Sequence, residues 1–170
     1  LAYTVLLWLL LPLIVLRLLW RARRQSEYLL HWGERFGRYS QRPVRPVLWL
    51  HAVSVGEVRA AAPLVESLLR DKPGCQIVLT CMTPTGRSTA LSLFGSTALV
   101  AYLPYDYPRA LRAFLRHFRP RVGLVMETEV WPNLVAECAR AAVPLALVNA
   151  RLSERSLRGY LRFRGLAGPA

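Results

Sequence analysis

A chain of 170 residues, 54% hydrophobic and 19% charged, is long enough for one globular domain with an appendage and too apolar to be disordered throughout. Its 23 basic residues against 10 acidic ones leave a net charge of +13, nearly all from arginine, with Lys72 the single lysine. That excess fits nucleic acid, anionic lipid headgroups, a phosphorylated substrate or simply a solvated arginine-rich surface, while Cys75, Cys81 and Cys138, with no CxxC pair and no histidine cluster nearby, argue against a zinc site.

Residues 1–16 are almost wholly apolar, broken only by Thr4 and Pro12, and Arg17, Arg21, Arg23 and Arg24 come next. The run is slightly short of the roughly 20 residues that cross a bilayer. Arg17 can snorkel, however, and Trp8 and Trp20 suit an interface, so residues 1–24 are expected to anchor the chain to a membrane. Arginines after the apolar run place the rest of the chain on the cytoplasmic side. A cleaved signal peptide needs the reverse order, with charges first and small residues last. Residues 25–46 are polar and basic, carry Trp32-Gly33-Glu34-Arg35-Phe36-Gly37, and end among Pro43 and Pro46. They are expected to be a juxtamembrane connector. The first residue is Leu1 rather than Met, and Gly168-Pro169-Ala170 supplies no terminating element, so a fragment of a longer protein is expected.

From residue 47 to 170 a single folded domain is expected. Apolar runs at 47–53, 76–82, 98–103, 122–126 and 145–148 alternate with helical stretches at 56–70, 85–94, 108–118 and 132–141. Continuous apolar strands separated by amphipathic helices predict an α/β, Rossmann-like parallel sheet covered on both faces.

Ligands of open parallel sheets bind beyond the carboxyl ends of the strands. Each run here ends in a polar stretch: His51 to Glu57, Thr80 to Gly86, Leu103 to Asp106, Met126 to Asn133, and Asn149 to Arg155. Their convergence on one edge predicts an active cleft. Two readings stand for Ser54-Val55-Gly56-Glu57. Its backbone N–H groups could hold an anion or orient the glutamate, or Ser54 and Glu57 could form a capping box. Glu127 and Glu129 are candidates for general-base work or hydroxyl binding, and equally for solvated carboxylates paired with arginines. Thr83-Pro84-Thr85-Gly86 fits a phosphate or hydroxyl contact, and fits a plain helix cap as well. His51, at a strand end, reads as a core histidine rather than a catalytic one. Neither a GxGxxG nor a GxxxxGK[ST] motif occurs, so dehydrogenase and P-loop readings have no support.

These segments, with Trp32 to Gly37 behind an apolar amino-terminal run, resemble the 3-deoxy-manno-octulosonic acid (Kdo) transferases of lipopolysaccharide biosynthesis. The likeness extends from the anchor to about Arg164 and implies the amino-terminal, acceptor-side domain of a two-domain GT-B glycosyltransferase on the cytoplasmic face of a bacterial inner membrane. The resemblance further implies inverting transfer of Kdo from the donor CMP-Kdo to a hydroxyl of the bisphosphorylated acceptor lipid IVA, without a cofactor or bound metal. The donor would be held mainly by a carboxyl-terminal domain that this sequence does not contain. By resemblance Glu57 is the general base, Glu127 orients the acceptor or supports Glu57, and Ser54, Gly56 and Thr83 shape the acceptor pocket. Rival readings are a related glycosyltransferase with another acceptor and a non-catalytic module that holds anionic lipid. Nucleic-acid binding rests on charge alone and is opposed by the apolar anchor and the strand-end carboxylates.

Overall fold

The five apolar runs fold as five parallel strands, β1 (Val47–His51), β2 (Gln76–Cys81), β3 (Ala98–Tyr102), β4 (Pro120–Met126) and β5 (Leu145–Val148), in the spatial order β3-β2-β1-β4-β5. This is a computed structural model, and it describes residues 2–127 and 131–150. Between the strands run α2 (Val55–Asp71), α3 (Pro84–Phe94), α4 (Pro108–Phe118) and α5 (Pro132–Arg140). The Rossmann-like α/β sheet predicted from the sequence is present, and the α2–α5 bounds fall within a residue of the sequence reading. β4 starts two residues earlier than its apolar pattern, because Pro120 needs no N–H at a strand's first residue and pairs with Val47 across a register irregularity.

Alternation along the strands splits the core into two layers. Leu50, Ile77, Leu79 and Val100 face α2 and α3 with Val58, Val65 and Phe94, whereas Val47, Trp49, Val78 and Ala101 face α4 and α5 with Leu111, Phe114, Phe118 and Leu134. Trp49 is fully buried and its Nε1–H donates to Thr80 Oγ1 at 2.8 Å, which satisfies the one polar atom it takes into the core. Its ring fills the space over Gly123: a Cβ there would lie 2.6 Å from Trp49 Cε3 and 2.5 Å from Leu145 Cδ2. The glycine in mid-strand is therefore a packing requirement.

Upstream of the sheet, α1 (Ala2–Ala22) is long and apolar enough to cross a membrane, with a mean hydropathy of 2.1. Residues 25–46, expected as a polar connector, are built into the domain. They form two 3-10 turns, Ser26–Leu29 and Trp32–Phe36. The second inserts Arg35, 1% exposed, beneath the ends of β2 and β3, where its guanidinium donates to the Met82 carbonyl (3.1 Å) and stacks 4.0 Å from the Tyr102 ring centre. Glu34 accepts from the Tyr102 backbone N–H (2.8 Å) and from Arg87 Nη1 (3.0 Å), and the Tyr39 hydroxyl donates to the Tyr102 carbonyl (3.0 Å). The physical reason is that β3 is an outermost strand, whose outward backbone groups need partners from elsewhere.

Candidate active site

Strand order sets the location. The chain steps from β1 to β2 to β3 on one side, then returns to the other side of β1 for β4 and β5. The point where the order reverses lies between β1 and β4, and a crevice opens there at the carboxyl edge of such sheets. The loop after β1 carries Ser54 and leads straight into the first turn of α2 with Glu57, and β4 ends at Met126 with Glu127 next, so the two predicted carboxylates flank this point.

Glu57 is 8% exposed in the first turn of α2. Its Oε2 accepts from the Val53 backbone N–H at 2.8 Å and its Oε1 accepts from the Ser54 hydroxyl at 3.1 Å. These bonds differ from the predicted capping box: the carboxylate reaches back one residue past the N-cap to the Val53 N–H, and Ser54 Oγ caps no helix N–H but donates to the glutamate. The result is a carboxylate held by the Val53 N–H and the Ser54 hydroxyl, among its contacts, at the helix's positive end. Gly56 is exposed, and a Cβ on it would meet nothing nearer than Ser54 Oγ at 4.0 Å. The surface at Gly56 is therefore open.

Thr83 is differently placed. Its Oγ1 accepts from the Gly86 N–H (3.0 Å) as the cap of α3 and donates to the Val53 carbonyl (3.3 Å). The plain helix-cap reading accounts for that hydroxyl, which also ties α3 to the loop bearing Ser54. Glu127 is half-buried and left-handed (φ 57), with its N–H donating to the Val148 carbonyl at 2.9 Å. A non-glycine residue in that region costs on the order of 1 kcal/mol, a strain of the kind found at functional turns. Thr128 and Glu129, and the predicted stretch Arg151 to Arg155, lie outside the described residues.

His51 is buried, with Nδ1 3.1 Å from the Thr80 carbonyl oxygen and 2.9 Å from Thr80 Oγ1, and its ring meets Trp131 edge-on at 5.8 Å. Nδ1–H donating to Thr80 leaves Nε2 as a buried acceptor without a hydrogen-bond partner. Desolvation lowers its pKa from 6.5 to about 4, against an opposing pull from the Thr80 carbonyl. The unfolded chain then takes up a proton near pH 6.5 that the folded chain accepts only near 4, so stability falls as pH drops through that window. Urea midpoints should decline as the pH is lowered from about 7 to about 5, and His51→Asn should flatten that slope.

Asp106, at the predicted end of β3, caps α5 from outside: its carboxylate accepts from the Asn133 N–H (3.1 Å) and the Leu134 N–H (2.8 Å). Burial raises its pKa, opposed by these donors and by the Tyr3 hydroxyl. The group that sequence reasoning missed is the Glu34, Arg35, Arg87 and Tyr102 cluster next to the Thr83 loop; a Glu-Arg pair between aromatics and glycines was its only signal. No group of three or more His, Cys, Asp or Glu side chains that could hold a metal comes together among the described residues. A cavity of about 650 Å³ lined by Arg42, Arg45, Arg116 and Arg119 opens at Val47, the opposite edge of the sheet from Glu57.

The sequence model of the 3-deoxy-D-manno-octulosonic-acid transferase (kdotransferase) family matches residues 30–170. A 3-deoxy-D-manno-octulosonic acid transferase of Bordetella pertussis is 47% identical over 165 residues, covering 92% of this chain and 38% of the relative. Proteins of the same name from Haemophilus influenzae and Rickettsia bellii are 38% and 30% identical, covering 93% and 96% of this chain and 38% and 39% of the relatives. The chain thus spans well under half the length of the curated relatives it matches. The matched stretch begins just before the Glu34–Arg35 pair and takes in every strand, the Ser54–Glu57 turn and Glu127, and the chain belongs to the 3-deoxy-D-manno-octulosonic-acid transferase family.

Proposed function

We propose that this chain is the acceptor-side half of a GT-B glycosyltransferase that moves Kdo from CMP-Kdo to lipid IVA at the cytoplasmic face of a bacterial inner membrane. The observation that carries the reading is the Glu57 carboxylate, held by Val53 N–H and Ser54 Oγ at the strand-order reversal of a chain in this family. An acceptor hydroxyl is a weak nucleophile. A carboxylate within hydrogen-bond reach takes its proton as the oxygen attacks the anomeric carbon of Kdo. The bond from that carbon to the CMP phosphate oxygen breaks with its electron pair leaving on phosphate, and the configuration inverts. Ser54 and the Val53 N–H hold Glu57 in place, the gap at Gly56 admits the sugar, and Glu127 positions it from the β4 side. Neither a metal nor a cofactor is called for in this scheme. The curated relatives extend well beyond this chain, and the donor site is assigned to that further part.

The test is to incubate the full-length protein with CMP-Kdo and lipid IVA and to look for the glycosylated lipid by mass spectrometry. Product is expected from the full-length protein. The 170-residue chain alone should bind the bisphosphorylated lipid weakly and in a salt-sensitive way, and give no product, because the reacting centres are neither held together nor shielded from water. Product from this chain alone, lost on Glu57→Gln, would overturn the division of labour. No product from the full-length protein would overturn the reading itself.

A further inference from the structure

The amino-terminal helix is docked on the domain near both of its ends. Near its start the Tyr3 hydroxyl donates to Asp106 Oδ2 (2.8 Å), the Thr4 hydroxyl donates to Asn133 Oδ1 (2.8 Å), the Tyr107 hydroxyl donates to the Leu7 carbonyl (2.7 Å), and Trp8 packs on Tyr107 with ring centres 4.9 Å apart. Near its end Leu18 is buried, Arg21 reaches the Tyr28 hydroxyl (3.4 Å), and the Tyr28 ring lies 5.9 Å from the buried Arg35 guanidinium. Apart from Trp8, the hydrogen-bonding side chains between Ala2 and Leu16 are Tyr3 and Thr4, and the domain takes both. Twenty-one residues of helix measure about 30 Å at about 1.5 Å per residue, which is the thickness of a bilayer's hydrocarbon core. A helix that crossed the bilayer would carry Tyr3 and Thr4 to the face away from the domain and break every one of the contacts at its start.

The exposed residues form a broad apolar face rather than a narrow seam. At its centre a stripe of Leu6, Leu9, Leu13, Leu16 and Trp20 recurs at intervals of three and four, with Val5, Trp8, Leu10 and Leu19 also exposed to either side, while Leu7, Leu11, Ile14 and Leu18 turn inward. Arg17, Arg21 and Arg24, also spaced by four and three, lie exposed beside the stripe's carboxyl end. Cations gathered at the carboxyl end of an apolar face can reach anionic headgroups while the face itself stays in the acyl chains. We infer that α1 lies in the plane of the membrane surface, with the stripe from Leu6 to Trp20 in the lipid and both helix ends on the domain's side of the bilayer. This rests on the membrane attachment proposed above.

The experiment uses the full-length protein carrying Ala2→Cys, expressed in a bacterium and treated as spheroplasts with a membrane-impermeant maleimide, with the protein lacking the added cysteine as background for Cys75. The protein should sediment with membranes, and the added thiol should react only once the inner membrane is opened or dissolved. Labelling of intact spheroplasts would show a helix that crosses the bilayer and would overturn the inference while leaving the attachment intact. Recovery in the soluble fraction would instead overturn the attachment, and the inference with it.

Discussion

Glu57→Gln in the full-length protein should lower turnover by about 10²-fold or more, the usual scale for loss of a general base, with folding and acceptor binding retained. The substitution is close to isosteric. The amide oxygen still accepts from the Val53 N–H, and the Ser54 hydroxyl, which now donates to Oε1, can rotate to accept from the new NH₂. The helix start is therefore kept, and what is lost is the capacity to take up a proton. Steady-state rates with CMP-Kdo and lipid IVA, set beside thermal unfolding of the same preparation, separate the two roles of this side chain. Near-normal turnover would reduce Glu57 to a helix-start residue.

Glu34→Ala should cost about 3–5 kcal/mol of stability, the range for breaking a buried ion pair, and a large fraction of the 5–15 kcal/mol typical of a domain. The Glu34 and Arg87 side chains are 12% and 8% exposed. Glu34 Oε2 receives both Arg87 and the Tyr102 N–H, and the Arg35 and Arg87 guanidiniums lie 4.0 and 5.1 Å from the same Tyr102 ring centre. Removing the carboxylate leaves two buried cations facing one ring and an unpaired backbone donor. Arg35→Met is the informative companion. Arg35 Nε and Nη2 are buried without hydrogen-bond partners, so an apolar side chain of similar length gives up the bond to Met82, the contact with Tyr105 and the stacking while relieving that burden. Its cost should be clearly smaller. Urea titrations of the three proteins decide the matter, and a Glu34→Ala cost below about 1 kcal/mol would mean that the pair behaves as a surface one.

Periodicity made the sheet legible. Runs such as Gln76–Cys81 are apolar because strands of a parallel sheet are covered on both faces, and the helices between them carry polar residues on one side. The position of Glu57 was legible for the same reason, since the strand ends name the edge where ligands gather. Its hydrogen bonding was only half legible: spacing foretold a carboxylate turned back on the backbone, not a serine that donates to it. Thr83 shows the limit of local motifs, because a cap and a ligand contact look alike until the Val53 carbonyl takes the hydroxyl proton. Arg35 was not legible at all. Charge in a proline-flanked polar segment ordinarily means solvent, and its burial depends on Tyr102 and Met82, far along the chain. The pairing of Tyr3 with Asp106 was hidden likewise, spanning more than a hundred positions.

One consequence of the Glu34 and Tyr39 contacts reaches beyond this molecule. Tyr102 sits on the free rim of β3, one of the two outermost strands, and its outward N–H and C=O are groups that a stray strand from another chain could pair with. With both groups occupied from within, the carboxyl end of β3 cannot template intermolecular pairing. Chains caught before residues 34–39 have settled on that rim would present it bare, which makes it a point where intermolecular pairing can begin.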